Sequence, residues 1–388
     1  MAPLHARVVC KSIERIAAHI DDPVRRLRFL NAVAPAPGPR RRRIRLRRPW
    51  LLVLVLLALP ICALFLLRSL ARGTEAPHVP HPPNRAALNG LRHPVSEVWL
   101  VDKTAESEVY SNGLRVDNRY SIANHPRRYL AFPRDLRGGG APVERTAPVG
   151  IVFHTTESRL APFDPSENSE LKRIGKSLLE YVRGKRAYNF LIDRFGRVYR
   201  IVPEDQAANH AGYSIWGDDR WMYLNLNGSF LGISFESQTL PGQTEGQFSP
   251  AQEHAGAVLV EMLRGRFAIR PENCVTHAQV SVNPHNMRIG YHTDWASGFP
   301  FERLGLPDNY GREPPALWAF GFESDPAYRD TAGKRIFPAI LAAEEHFRRN
   351  AEETGARISS YRKSLQSRYR DWLREARVAS GTDEEAGN

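Results

Sequence analysis

Three residues of this chain have the types and settings of a hydrolytic metal centre. His154 closes the apolar run VGIVFH, and His277 closes CVTH, so each sets an imidazole where a buried strand reaches the surface. In open α/β sheets, sites gather at such strand ends. One histidine placed this way is ordinarily a satisfied structural residue; two of them, followed at a loop-sized separation by Tyr291-His292-Thr293-Asp294, point to a metal. A catalytic zinc needs about three His or carboxylate ligands and one open position for water. His154, His277 and Asp294 supply that set, with His292 and His285 as alternatives for the third ligand. Bound zinc lowers the pKa of water towards about 7, which makes hydroxide available near neutrality. The chain has no G-x-S-x-G motif to carry a covalent serine route.

The elements that must position these residues are legible around them. SEVWLVDKT and SEVYSNGLRVDNRYSIA read as short strands, with Asn112-Gly113 as a hairpin turn. LKRIGKSLLEYVRG has the spacing of an amphipathic helix. AYNFLID and GRVYRIV read as two strands joined at Arg194-Phe195-Gly196, and LGISFES as another. Ser249-Pro250-Ala251-Gln252 opens a helix, with Ser as N-cap, Pro at N1 and Gln at N3. Strands interleaved with helices predict an α/β fold with a mixed central sheet flanked by helices. Beyond residue 310, Phe347, Ala351, Ile358, Tyr361, Leu365, Tyr369 and Trp372 recur at helical spacing. One long helix or a helical hairpin is expected there, packed on the domain, because no heptad is sustained. It is also the one stretch that offers a protein partner a surface.

Charge is distributed unevenly. The net charge is +12, and all of the excess falls before residue 73. A nucleic-acid-binding domain would spread its Lys and Arg over a folded face, so no nucleic-acid partner is expected. Trp50 to Leu67 carries no charge, and as a helix it would rise about 27 Å, close to the thickness of a bilayer core. Arg40 to Arg43, Arg45, Arg47 and Arg48 precede it, which predicts a single-pass anchor in an inner membrane with a cytoplasmic N-terminus. The fold expected is therefore α/β with an N-terminal transmembrane helix and a helical C-terminal extension. Cys10, Cys62 and Cys274 stand too far apart in setting to build a disulfide framework or a Cys-rich zinc site.

Six pieces, in order, resemble the type 2 N-acetylmuramoyl-L-alanine amidases, the fold shared with phage lysozyme-type amidases and peptidoglycan recognition proteins. They are IVFHTT (151–156), AYNFLIDRFGRVYRIVPE (187–204), NHAG (209–212), LGISFE (231–236), THAQ (276–279) and HTD with FPFERL (299–304). The resemblance implies a zinc enzyme that hydrolyses the amide between muramic acid and L-alanine of peptidoglycan. It implies His154, His277 and Asp294 as ligands, Tyr188 beside the metal, and His292 where many relatives hold a Lys that stabilises the oxyanion. It further implies substrate contacts at His210, Asn209 and Thr155. Where the family often reads I-G-I-E, this chain has Ser234. The base then falls on Glu236, two residues later on the same strand face. Trp295-Ala296 replaces the usual Pro-Gly after the last ligand.

The organisation expected is a basic cytoplasmic tail (1–48), a transmembrane helix (49–69), a Pro-rich linker (70–95), a β-rich lead-in (96–147), a zinc amidase domain (148–310) and the helical extension (311–388). The alternative function is a peptidoglycan-binding module, or a membrane-tethered scaffold, that uses the same fold without cutting.

Overall fold

The computed structural model describes residues 97–135, 140–239, 248–324, 328 and 332–381, which belong to one compact unit, Pro80–Asn388. The chain opens with strands β1 (Leu100–Lys103), β2 (Ser107–Tyr110), β3 (Arg115–Asp117), β4 (Tyr129–Pro133) and β5 (Val143–Arg145). Strand β6 (Gly150–Thr155) and helix α1 (Asn168–Lys185) follow, then β7 (Phe190–Ile192), β8 (Val198–Arg200), β9 (Trp216–Gly217) and β10 (Trp221–Tyr223). Next come the short helix α2 (Leu226–Ser229), β11 (Phe230–Phe235), α3 (Pro250–Phe267), β12 (Cys274–Thr276) and the short helix α4 (His277–Val280). The hairpin β13 (Val282–Asn283) and β14 (Arg288–Ile289), α5 (Pro315–Phe320), β15 (Glu323–Ser324), α6 (Gly333–Glu353) and α7 (Ile358–Ser380) complete it.

The main sheet runs β1-β2-β3-β8-β7-β11-β6-β12. Strands β7, β11, β6 and β12 are parallel, and the β7–β8 hairpin and β1–β2–β3 extend it in mixed fashion. β6 lies between two parallel neighbours and is buried along its whole length, which is why it reads as an unbroken apolar run. Side chains alternate across it. Ile151 and Phe153 point into the core with Val258, Leu259 and Leu263 of α3. Val152 and His154 therefore face the other side, where α1 covers β7 and β8 through Leu178, Leu179 and Val182. On that side the loop after β8, β10 and α4 cover β6 and β11 through Ala211, Tyr223 and Val280.

Helix α3 starts as its sequence predicts: Ser249 accepts from the Gln252 N–H, Gln252 returns the bond to Ser249, and Pro250 is at N1. Asn112-Gly113 turns β2 into β3, with Gly113 at φ +85°. The C-terminal region is a hairpin of α6 and α7, broken near Gly355 at φ +66°. Phe347, Ala351, Leu365 and Tyr369 of its apolar stripe are buried against the domain, Tyr361 and Trp372 are partly buried, and Ile358 at the start of α7 is exposed. Trp372 stacks on Phe132 at 4.5 Å and 11°, and Tyr369 packs edge-on against Phe320 and Phe322. The stripe is thus already covered, and it gives no support to a protein partner.

One part of the expected architecture is corrected. Among the described residues no helix is long and apolar enough to cross a membrane. This overturns the transmembrane helix of the expected fold and the inner-membrane location, and gives no support to the membrane as a partner. The longest helices, α6 and α7, have the length for a span but carry charged faces along it. The anchor was expected at 49–69, which lies outside the described residues, as do the expected basic tail (1–48) and Pro-rich linker (70–95).

Leu365 and Tyr369 test whether α7 is part of one cooperative unit. Leu365→Ala should destabilise the chain by about 2–5 kcal/mol in chemical denaturation, the cost of an emptied core site. The Tyr369 hydroxyl is buried with no hydrogen-bond partner. Tyr369→Phe, which removes an unsatisfied group, should leave stability unchanged or raise it. A separate early transition, with Leu365→Ala silent in the main one, would show that the hairpin unfolds on its own.

Candidate metal centre

The parallel strands bring their C-terminal ends to one edge, and the polar cluster forms there. Ser234 is in register with His154, and Phe153 with Thr276, so His277 leaves β12 level with His154. Thr276 caps α4 in a capping box with Gln279, which turns the chain sharply at His277. The loop 291–299 returns over α4: Ala278 N–H donates to the Asp294 carbonyl, and Tyr310 Oη donates to the Trp295 carbonyl at 2.8 Å. From below, Tyr328 Oη donates to the Ala278 carbonyl at 2.8 Å.

Asp294 is the hub of the cluster. Its Oδ1 lies 2.8 Å from His277 Nδ1, and its Oδ2 lies 3.2 Å from His154 Nδ1. One ligand atom from each of the three residues lies within 4.8 Å of the others, and all three residues are buried. Burial alone would raise the Asp294 pKa, but the two imidazoles outweigh it and hold the carboxyl well below its usual range. Burial first, and His277 second, push His154 down to about 4 against the pull of Asp294. A neutral imidazole and an ionised carboxylate that face one another need a proton or a cation between them. Two His and one Asp are the donor chemistry of a zinc site, so the residues present fit that ion.

Further groups adjoin this hub. His210 Nδ1 lies 3.1 Å from His154 Nε2. The Tyr188 ring centroid is 5.0 Å from that of His154, and burial pushes its phenol above the usual range. His292 is exposed and stacks on His277 at 4.5 Å and 21°. His285, the other alternative ligand, sits at the exposed turn of the β13–β14 hairpin. Backbone strain concentrates here. Glu157, Arg186, Tyr188 and Trp295 are non-glycine residues with φ of 50–63°, a conformation that persists only where the surroundings enforce it.

Asn209 and Thr155, expected to touch substrate, are engaged within the fold. Asn209 Nδ2 donates to the Lys185 carbonyl at 3.0 Å, and its own carbonyl accepts from Tyr188 N–H. Asn209 thus braces the turn that presents Tyr188. Thr155 Oγ1 donates to Glu157 Oε1 at 2.6 Å. Glu236 is buried, and burial raises its pKa, but its Oε2 accepts from Arg194 N–H at 3.1 Å in the β7–β8 turn. Among the described residues no hydrogen bond or ion pair joins it to Asp294 or His154. Sequence reasoning missed Glu157, whose Oε1 also accepts from Thr239 N–H at 2.8 Å and whose charge reaches Tyr188. It also missed Gly232: a Cβ there would stand 2.7 Å from His210 Cγ. A glycine inside a strand does signal close approach of another group.

Residues 144–294 match the family model described as N-acetylmuramoyl-L-alanine amidase. The N-acetylmuramoyl-L-alanine amidase AmiD of Escherichia coli (strain K12) is 34% identical over 90 residues, 22% of this chain and 31% of that protein. The match thus spans about a third of the length of that relative. Among solved structures, the E. coli AmiD complex with anhydro-N-acetylmuramic acid-L-Ala-D-gamma-Glu-L-Lys is 19% identical. It covers 71% of this chain and 97% of that one, at a TM-score of 0.34. AmpDh3 from Pseudomonas aeruginosa, in complex with anhydromuramic pentapeptide, is 19% identical, with coverage of 45% and 64% and a TM-score of 0.30.

The electrostatics of the cluster set a pH dependence. Below about pH 6.5 an unfolded chain protonates His154, while the folded chain refuses that proton until about pH 4. The unfolded state then binds more protons, so stability falls as pH drops through that window. Asp294, held ionised in the fold, extends the loss to lower pH. Thermal melts in the presence of a chelator should therefore fall between pH 6.5 and 4, and less steeply in His154→Asn. An equal slope in both proteins would show that His154 does not carry the effect.

Proposed function

We propose, from the match of residues 144–294 to the N-acetylmuramoyl-L-alanine amidase family model, that this chain hydrolyses the amide between muramic acid and L-alanine of peptidoglycan, with zinc held by His154, His277 and Asp294. The observation that carries this reading is the convergence of two imidazole nitrogens on the two oxygens of one buried carboxylate. When bound, zinc supplies Lewis acidity at the scissile carbonyl and acidifies water.

The chain's own residues have the remaining work. Tyr188 keeps its proton, because burial raises its pKa, and so can donate a hydrogen bond to the oxygen that gains charge as the carbonyl becomes tetrahedral. His292, at the exposed rim beside His277, is placed to donate a second. The departing amine needs a proton from a group that first took one from water. Glu236 was the carboxylate expected for this, but it is committed to the Arg194 turn. Glu157 is the better candidate: Thr155 and Thr239 hold its Oε1 and leave Oε2 for the proton. His210, Asn209 and Thr155 remain near enough to the cluster to shape the approach of the muropeptide. The presence of all three metal donors favours catalysis over a binding module that does not cut.

Mass spectrometry of peptidoglycan treated with the full chain and zinc tests the activity. Stem peptides with a free N-terminal alanine, and glycan freed of peptide, are the expected products. Cuts confined to the glycan or to the peptide would reject the assignment. His154→Ala, His277→Ala and Asp294→Ala should each lose zinc and turnover together. His292→Ala should keep zinc and substrate affinity while kcat falls roughly 100-fold or more, the scale for one oxyanion donor. Should His292→Ala strip the metal while Asp294→Ala retains it, His292 is the third ligand. Glu157→Gln should lower kcat with zinc retained and by more than Glu236→Gln does; the reverse order would return the base to Glu236.

A further inference from the structure

Resting on the zinc reading of the site, the geometry points to His210 as a positioning residue that fixes which nitrogen of His154 is offered to the metal. The relay begins at a backbone carbonyl. Phe230 O can only accept; it takes a hydrogen bond from Arg127 Nη1 at 2.9 Å and faces His210 Nε2 at 3.3 Å. His210 Nε2 therefore carries the ring hydrogen. In a neutral imidazole the other nitrogen is then bare, so His210 Nδ1 accepts from His154 Nε2, 3.1 Å away. This puts the His154 hydrogen on Nε2 and leaves a lone pair on Nδ1, the atom that faces Asp294 Oδ2 at 3.2 Å. Without the relay, His154 is free to hold its hydrogen on Nδ1, donate it to Asp294 and present no ligand atom to the cluster. The hydrogen positions follow from the acceptors around the rings.

The fold builds this relay from residues distant in sequence. The backbone N–H groups of His210, Ala211 and Gly212 all donate to Asn227 Oδ1, at 2.9, 2.9 and 2.8 Å. That one carboxamide oxygen fixes the loop. The His210 ring then sits against β11 at Gly232, where any side chain would displace it. Arg127, fully buried, also donates to the Glu204, Gln206 and Gly228 carbonyls, so the accepting end of the relay is held rigidly. A partner that orients a ligand imidazole typically contributes about 10- to 100-fold to metal affinity.

The test is zinc affinity of the full chain, measured by competition with a chromophoric chelator, together with 15N NMR of the His154 ring in the zinc-loaded chain. In the parent, the ring should show hydrogen on Nε2 and metal bound at Nδ1. His210→Ala and Gly232→Ala should each weaken zinc by about 10- to 100-fold and give a mixed His154 tautomer. His210→Asn, whose carboxamide oxygen reaches the place of Nδ1, should recover most of the affinity. If His210→Ala does not fold, Gly232→Ala carries the same comparison with His210 intact. Parent-like zinc affinity in both variants, with activity lost, would overturn the inference and make His210 a substrate contact. A parent that binds no zinc would overturn the metal reading, whereas a parent that binds zinc through Nε2 of His154 would overturn the relay alone, so the two failures are distinguishable.

Discussion

The burial of Asp294 between two imidazoles is the constraint on which the rest of the structure depends. An ionised carboxylate taken out of water is costly unless it is paired and hydrogen-bonded. Here the partners are His154 Nδ1 and His277 Nδ1, and each must arrive from a different strand end. That demands two parallel strands in fixed register, β6 and β12, and a return loop that delivers Asp294 over α4. With nothing between carboxylate and rings, protons must fill the gaps. A divalent cation satisfies all three donors at once, and it does so without the protonation that burial opposes at His154.

Around that hub the fold is a set of clamps on loops. Arg127 ties five carbonyls together, Asn227 Oδ1 collects three N–H groups, Tyr310 pins the chain just after Asp294, and Tyr328 pins α4 beneath it. Each clamp is a buried polar side chain that satisfies backbone groups, which loops cannot leave unpaired. The C-terminal region joins the same system: Tyr328 reaches α4, and Arg377 of α7 lies over Tyr213, three residues past His210. Loop positions that set the site are therefore tied to the helical hairpin as well as to the sheet.

How much of this was legible in the sequence follows from the range of the interactions. His154 and His277 stood out because strands buried on both faces read as apolar runs, and a polar residue at the end of such a run is conspicuous. The α3 cap was readable because a capping box lies within four residues. The His154–His210 contact was not, because a strand end and a loop 56 residues apart meet only in the fold. Arg127 looked like any arginine in a polar stretch; only its burial among carbonyls marks it. Glu236 has the right strand parity, yet the Arg194 turn claims its carboxylate, a contact that periodicity does not encode. The transmembrane helix was drawn from hydropathy alone, and no described helix sustains it. The C-terminal stripe is helical and faces inward except at Ile358, which is exposed, and Gly355 supplies the break that the spacing left open between one helix and two.

The central claim is that two imidazoles and a carboxylate in this cluster bind one zinc. Zinc K-edge X-ray absorption on the zinc-loaded full chain tests it most directly. The account predicts two imidazole nitrogens and light oxygen donors at about 2.0–2.2 Å, with no sulfur. A shell at about 2.3 Å from a thiolate, for which Cys274 is the described candidate, or a spectrum without imidazole scattering, would contradict it.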